Sequence, residues 1–159
     1  MIFVTVGTHE QPFNRLIKHI DLLIENKVIT EKVFMQIGYS DYIPKNCEYK
    51  KFVTYDCMEE MIDNSRIVIT HGGPSSFLSV LSKKKTPIVV PRYSKFNEHI
   101  NNHQIEFAKK ILNKGYSIIL VENINELGTA IDTYQGNRKE FLSNNKNFND
   151  DLISIINSL

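Results

Sequence analysis

Short apolar runs alternate with helix-periodic stretches along most of the chain. Phe3, Val4, Thr5 and Val6 form a run that stops at Gly7, and Phe13, Leu16, Ile17, Ile20, Leu23 and Ile24 then recur at helical spacing. Residues 33–37 read as a second strand closed by Gly38, and residues 49–53 as a third. A short helix over 58–64 leads into a fourth strand over 67–70. The alternation continues as helix 74–84, strand 87–90, helix 98–113, strand 117–121 and helix 125–134. On the helix after Asn97 the inward stripe is expected to hold Ile100, Phe107, Ala108 and Ile111. In the tail, Phe141, Leu142, Phe148, Leu152, Ile155, Ile156 and Leu159 fall on one face of an amphipathic helical segment over 138–159. Apolar strands separated by helices fit a parallel sheet covered on both faces. The pattern predicts one α/β, Rossmann-like domain over residues 1–159. Its mostly parallel sheet has about six strands in the order 3-2-1-4-5-6.

Composition narrows this little but excludes a good deal. The 159 residues are 42% hydrophobic and 23% charged, as in an ordinary globular domain. Nineteen basic and eighteen acidic side chains leave a charge of +1, without the basic excess of a phosphate-tracking nucleic-acid binder. Cys47 and Cys57 cannot build a disulfide framework and read as buried apolar groups. No basic leader precedes the first apolar run, and no stretch approaches the ~20 apolar residues of a membrane span. The expectation is a cytoplasmic protein that reaches a membrane only through a partner.

In such a sheet ligands bind beyond the carboxyl ends of the strands, so three loops matter. The loop after strand four is His71-Gly72-Gly73-Pro74-Ser75-Ser76. Pro74 suits the first helical position, and the two glycines admit close approach of a ligand. The N–H groups and hydroxyls of Ser75 and Ser76, with the helix dipole, would address one anion, most naturally a phosphate. A capped helix after a plain glycine turn is the alternative. His71 either donates to that phosphate or bridges backbone groups. Gly7-Thr8-His9 after strand one offers an opposing set of donors, or a simple turn. After strand five, Gln104 falls on the inward side of its helix, where it either binds hydroxyls or fills space. His99 and His103 share a helix face but lack an obvious third metal ligand. Lys83, Lys84 and Lys85 read as a solvated helix end. There is no GxGxxG after strand one, no P-loop, no GxSxG elbow and no Asp-x-Asp pair.

The combination of VGTHEQPFNRL, ITHGGPSS, PIVVPR and EHINNHQ resembles the donor-binding C-terminal lobe of glycosyltransferase family 28, one half of a GT-B fold. The likeness runs over nearly the whole chain. It is strongest to the small catalytic subunits of split bacterial capsule and exopolysaccharide glycosyltransferases, and to the small subunit of the eukaryotic dolichol-linked GlcNAc transferase. The resemblance implies that Gly7, Thr8, His71, Gly72, Gly73, Ser75, Ser76 and Arg92 address the diphosphate of UDP. It implies that the stretch from Phe52 to Met58 holds the uracil, largely through backbone groups and with Tyr55 the candidate ring, and that Ser79 stands where relatives carry a ribose-binding acid. Glu98, His99, His103 and Gln104 would read the sugar, although relatives often have Asp-Asp-His-Gln where this chain has Asn101-Asn102-His103-Gln104.

The function so implied is an inverting hexosyltransferase subunit that takes a UDP-sugar and needs no metal cofactor. The acceptor would be a saccharide on a polyprenyl diphosphate, in capsule or exopolysaccharide assembly. A membrane-anchored partner would supply the acceptor-binding lobe, since the chain is short for two lobes, and the 138–159 segment is a candidate docking element. The enzyme would sit at the inner face of the membrane. His9 is the candidate general base. A non-catalytic UDP-sugar-binding accessory subunit is the alternative.

Overall fold

In the computed structural model, strands β1 (Ile2–Thr5), β2 (Val33–Gln36), β3 (Glu48–Lys50), β4 (Ile67–His71), β5 (Ile88–Val90) and β6 (Ile119–Leu120) form one parallel sheet in the order β3-β2-β1-β4-β5-β6. The structure describes residues 1–136 and, in the tail, residues 150, 153, 154 and 157. Apart from those four, the amphipathic segment expected over 138–159 and its docking role lie outside the described residues. Among the described residues four α-helices lie between strands, α1 (Asn14–Glu25), α2 (Tyr55–Asn64), α3 (Pro74–Ser82) and α4 (His103–Asn113), and α5 (Leu127–Asp132) follows β6.

The period-two alternation of each strand sends its side chains to two separate cores. Ile2, Val4, Met35 and Ile69 pack with Leu16, Ile17 and Ile20 of α1 and with Leu127 and Ile131 of α5. On the other face Phe3, Phe34 and Val68 meet Ile62 of α2 and Val80 of α3. Val89 joins Phe77 of α3 with Phe107 and Ile111 of α4. Both faces are covered, as the unbroken apolar strands require.

Several boundaries differ from the sequence pattern, each for a local reason. β3 stops at Lys50 and exposes all three residues, as suits a charged edge strand. α2 starts at Tyr55 because the Thr54 hydroxyl caps it, accepting from the Cys57 N–H at 3.2 Å. The largest change is at α4, which begins at His103 rather than at residue 98. A 3-10 turn, Ser94–Phe96, ends where Asn97 takes a left-handed φ of 56°. Asn102 then accepts from the Ser94 N–H at 3.0 Å and Asn101 from the His103 N–H at 3.0 Å, bonds that compete with helix. Ile100, expected on the inward stripe, is therefore 79% exposed.

Two polar devices fix the connections. The buried carboxylate of Asp21 accepts from the Tyr42 hydroxyl at 2.6 Å and from the backbone N–H groups of Lys45 and Asn46. Burial pulls its pKa up, but these donors hold it below the ordinary carboxylate value. Lys85 donates to the carbonyls of Ile62, Asp63 and Ser65 and so closes the end of α2. Lys83 pairs with Glu59 and Asp63. Two of the three lysines thus join α2 to the end of α3 rather than standing free in solvent. Cys47 and Cys57 are free and half-buried.

Candidate functional site

β1 and β4 are adjacent, and their following loops open on a cavity of about 820 Å³ at the carboxyl edge of the sheet. Gly7, Thr8 and His9 line it from the β1 loop. His71, Gly73, Ser75 and Ser76 line it from the β4 loop and the start of α3. His99, His103 and Gln104 line it from the segment after β5. The structure thus brings together most of the residues singled out from the three loops.

At its centre the imidazole of His71 is boxed between two glycines. A Cβ on Gly73 would stand 2.3 Å from its Nε2, and a Cβ on Gly7 would stand 2.4 Å from its Cε1. Gly7 also has a φ of +74°, a conformation that disfavours any side chain. The Gly7 turn is held by Thr5, whose hydroxyl accepts from the Gly7 N–H at 3.2 Å and donates to Gln36 Oε1 at 2.9 Å. Beyond Gly73, Pro74 opens α3. The Ser76 N–H turns back to the Gly73 carbonyl at 3.2 Å, so it is engaged within the turn. The Ser75 N–H and the two serine hydroxyls remain as the groups this helix end offers an anion.

Burial, reinforced by the charge of Arg92, pushes the His71 pKa down to about 3, against an opposing backbone contact with Thr5. His71 is therefore neutral at physiological pH, an imidazole rather than a cation. The same depression makes stability depend on pH. Between about pH 6.5 and 3 the unfolded chain binds a proton that the native chain refuses. Stability is full above the unfolded value and falls by up to ~1.4 kcal/mol per pH unit as pH drops through that window. His19 and His99, both lowered first by burial, act in the same direction. Urea midpoints at about pH 7, 6 and 5 should fall steadily, and His71→Gln should flatten the slope. An unchanged slope in that variant would contradict the assignment.

Gln104 and Arg92 lock the three loops together. Gln104 is buried, and its Oε1 accepts from the Gly72 N–H at 3.1 Å and the Arg92 N–H at 3.0 Å. The donor end of its amide is what it has left to offer the cavity. A Cβ on Gly72 would lie 2.8 Å from Gln104 Cβ, so the glycine permits this approach. Arg92 is not placed on the cavity, contrary to the expectation that it faces a diphosphate. Its guanidinium is 1% exposed and donates to the carbonyls of Val6, Gln11 and Glu98 at 2.7–3.0 Å. Burial holds its pKa down at about 10, and Phe13 covers it at 4.9 Å. Glu98 is likewise buried, bound to Arg15 at 2.8 Å and to the Tyr93 N–H at 3.0 Å, and does not reach the cavity.

The other three histidines at the cavity form one stacked pair and one ion pair. His9 and His99 stack, with ring centroids 4.6 Å apart and an interplanar angle of 21°. His9 Nε2 lies 3.0 Å from Gln11 Oε1, and His99 Nδ1 accepts from the Asn101 N–H at 3.3 Å. His103 pairs with Glu106 at 3.2 Å. Among the described residues no three His, Cys, Asp or Glu side chains converge as a metal site.

Three expected contacts with a nucleoside lie off the cavity. Tyr55 is exposed, and Phe52 packs edge-on against Tyr39 at 5.2 Å. The Ser79 hydroxyl donates to the Ser75 carbonyl within α3 at 2.9 Å. Met58, the end of the stretch expected at the uracil, does line the cavity, and Thr5, Glu10, Gln36 and Phe107 line it without having been singled out as site residues. The sequence signal for two of them is a polar residue in an apolar strand run: Thr5 within Phe3–Val6 and Gln36 within 33–37.

Comparison with known proteins shows the family and the fold. The family described as glycosyltransferase family 28 C-terminal domain matches residues 1–156. The Homo sapiens protein named UDP-N-acetylglucosamine transferase subunit ALG13 is 32% identical over 130 residues, covering 72% of this chain and 10% of the relative. Its Mus musculus counterpart is 30% identical over 122 residues, with the same coverage of each. The chain thus spans about a tenth of the length of these curated relatives. The crystal structure of the glycosyltransferase SnogD from Streptomyces nogalater superposes with a TM-score of 0.50 at 15% identity, covering 76% of this chain and 31% of that one. That likeness is one of fold. No helix among the described residues is long and apolar enough to cross a membrane.

Proposed function

The chain belongs to the glycosyltransferase family 28 C-terminal domain family, and from that premise we propose that it is the donor-binding, catalytic subunit of an inverting UDP-sugar-dependent glycosyltransferase. The observation that carries the reading is the anion cradle itself. The α3 N-terminus, the boxed neutral His71 and the Gly7 turn face one another across a cavity with room for a nucleotide sugar. In the proposed reaction an acceptor hydroxyl attacks the anomeric carbon as UDP leaves. The charge developing on the diphosphate is met by the helix end and by an imidazole N–H, so the reading calls for no metal ion. His9 is the base for the acceptor hydroxyl. Gln104 presents its amide donor to the hexose, with His99 and His103 beside it.

The proposed acceptor is a saccharide on a polyprenyl diphosphate in capsule or exopolysaccharide assembly. The proposed partner is a membrane-anchored subunit carrying the acceptor-binding lobe, which would hold this chain at the cytoplasmic face. The word subunit in the relatives' names supports the partner. The test is reconstitution with the neighbouring-gene partner and a screen of UDP-sugars on a lipid-linked acceptor. His71→Ala or Gln104→Ala should each reduce turnover at least tenfold, as expected when a hydrogen-bonding group of the site is lost. Normal turnover in both variants would assign catalysis to the partner and leave this chain an accessory.

A further inference from the structure

Outside the anion cradle, the cavity holds a stacked pair of imidazoles whose hydrogen bonds are not symmetrical. His9 Nε2 lies 3.0 Å from the side-chain oxygen of Gln11. An amide oxygen only accepts, so this contact requires the proton on Nε2. The Nδ1 of His9 is then left with a bare lone pair. His99 lies flat against the same ring, and its own Nδ1 accepts from the Asn101 N–H, which puts its proton on Nε2.

Resting on the donor-subunit reading above, we infer that His9 works as the general base through Nδ1, and that Gln11 is the positioning residue that fixes this tautomer while His99 fixes the plane of the ring. The acceptor O–H gives its proton to Nδ1 as its oxygen bonds to the anomeric carbon. The bond from that carbon to the diphosphate oxygen breaks, and its electron pair leaves with UDP. The resulting imidazolium carries protons on both nitrogens, with Gln11 still accepting from Nε2, and later releases the Nδ1 proton to water. The titratable groups placed at His9 are Glu10, next to it on its own loop, His71 at the end of β4 and the stacked His99 after β5.

Gln11 suits mutation, because the bond that its backbone carbonyl makes to Arg92 does not involve its side chain. Ring-nitrogen NMR of the full chain should find His9 protonated on Nε2 in the wild type, with mixed tautomers in Gln11→Ala. In the reconstituted enzyme Gln11→Ala should lower kcat about tenfold with an unchanged KM for the donor. Gln11→Glu should move the acid limb of the kcat profile to higher pH, because a carboxylate stabilises the imidazolium. A wild-type proton on Nδ1, or kcat profiles indifferent to both variants, would overturn the inference. Failure of the donor reading would appear separately, as absence of UDP binding with the His9 tautomer intact.

Discussion

Replacing Arg92 with methionine is expected to destabilise the protein by about 3 kcal/mol and to weaken donor binding together with it. Three carbonyls from two segments converge on the guanidinium: Val6 and Gln11 in the loop after β1, and Glu98 after β5. Removing it leaves those acceptors buried, at roughly 1 kcal/mol or more each. Relief of a buried cation offsets part of that loss, which is why the total stays moderate. At this chain length the change corresponds to a fall in Tm of about 6–12 °C. Arg92→Lys should recover only part of it, because an ammonium keeps the charge but cannot match the planar fork. Thermal unfolding of both variants checks this. A methionine variant as stable as the wild type would mean that the loops are held by other contacts.

Gly73→Ala is expected to abolish high-affinity binding in the cradle, by a hundredfold or more, and to cost about 2 kcal/mol of stability. The backbone does not cause this, since Gly73 has φ −68° and ψ 130°, which alanine adopts freely. The cause is steric. The added methyl would sit 2.3 Å from His71 Nε2, against a buried ring that Gly7 also approaches closely. A double variant makes the argument specific. Removing the ring with His71→Ala should restore most of the stability lost in Gly73→Ala, a coupling that urea unfolding of the four proteins measures. Additive losses would place the clash elsewhere. Gly7→Ala should be worse than Gly73→Ala, because it adds a disfavoured positive φ to the same contact.

The architecture was legible because β1, β2, β4 and β5 are short apolar runs, each followed by a turn or by polar residues, and parallel sheets demand such strands. The adjacency of β1 and β4 then located the cavity through the switch-point rule, and the glycines and histidines of its loops were found from that rule alone. What escaped the sequence was the division of labour among polar residues. The family resemblance casts Arg92, Glu98 and Gln104 alike as ligand groups. Whether a guanidinium faces a ligand or three carbonyls depends on the Val6 and Gln11 carbonyls, 86 and 81 residues away. The start of α4 was misplaced because helical periodicity does not register the local bonds of Asn101 and Asn102. Thr5 and Gln36 were passed over because a polar residue at a strand end is ordinary until its neighbour across the sheet is known. Ser79 was matched by spacing, yet its hydroxyl turns to the carbonyl one turn back.

The central proposal is that the cradle between β1 and β4 binds the diphosphate of a uridine nucleotide. Isothermal calorimetry of the full chain against UDP, GDP and NAD tests it most directly. The account predicts binding of UDP, at least tenfold weaker binding of GDP and NAD, and loss of UDP binding in Gly73→Ala. Equal affinity for all three, or UDP binding that survives Gly73→Ala, would contradict it.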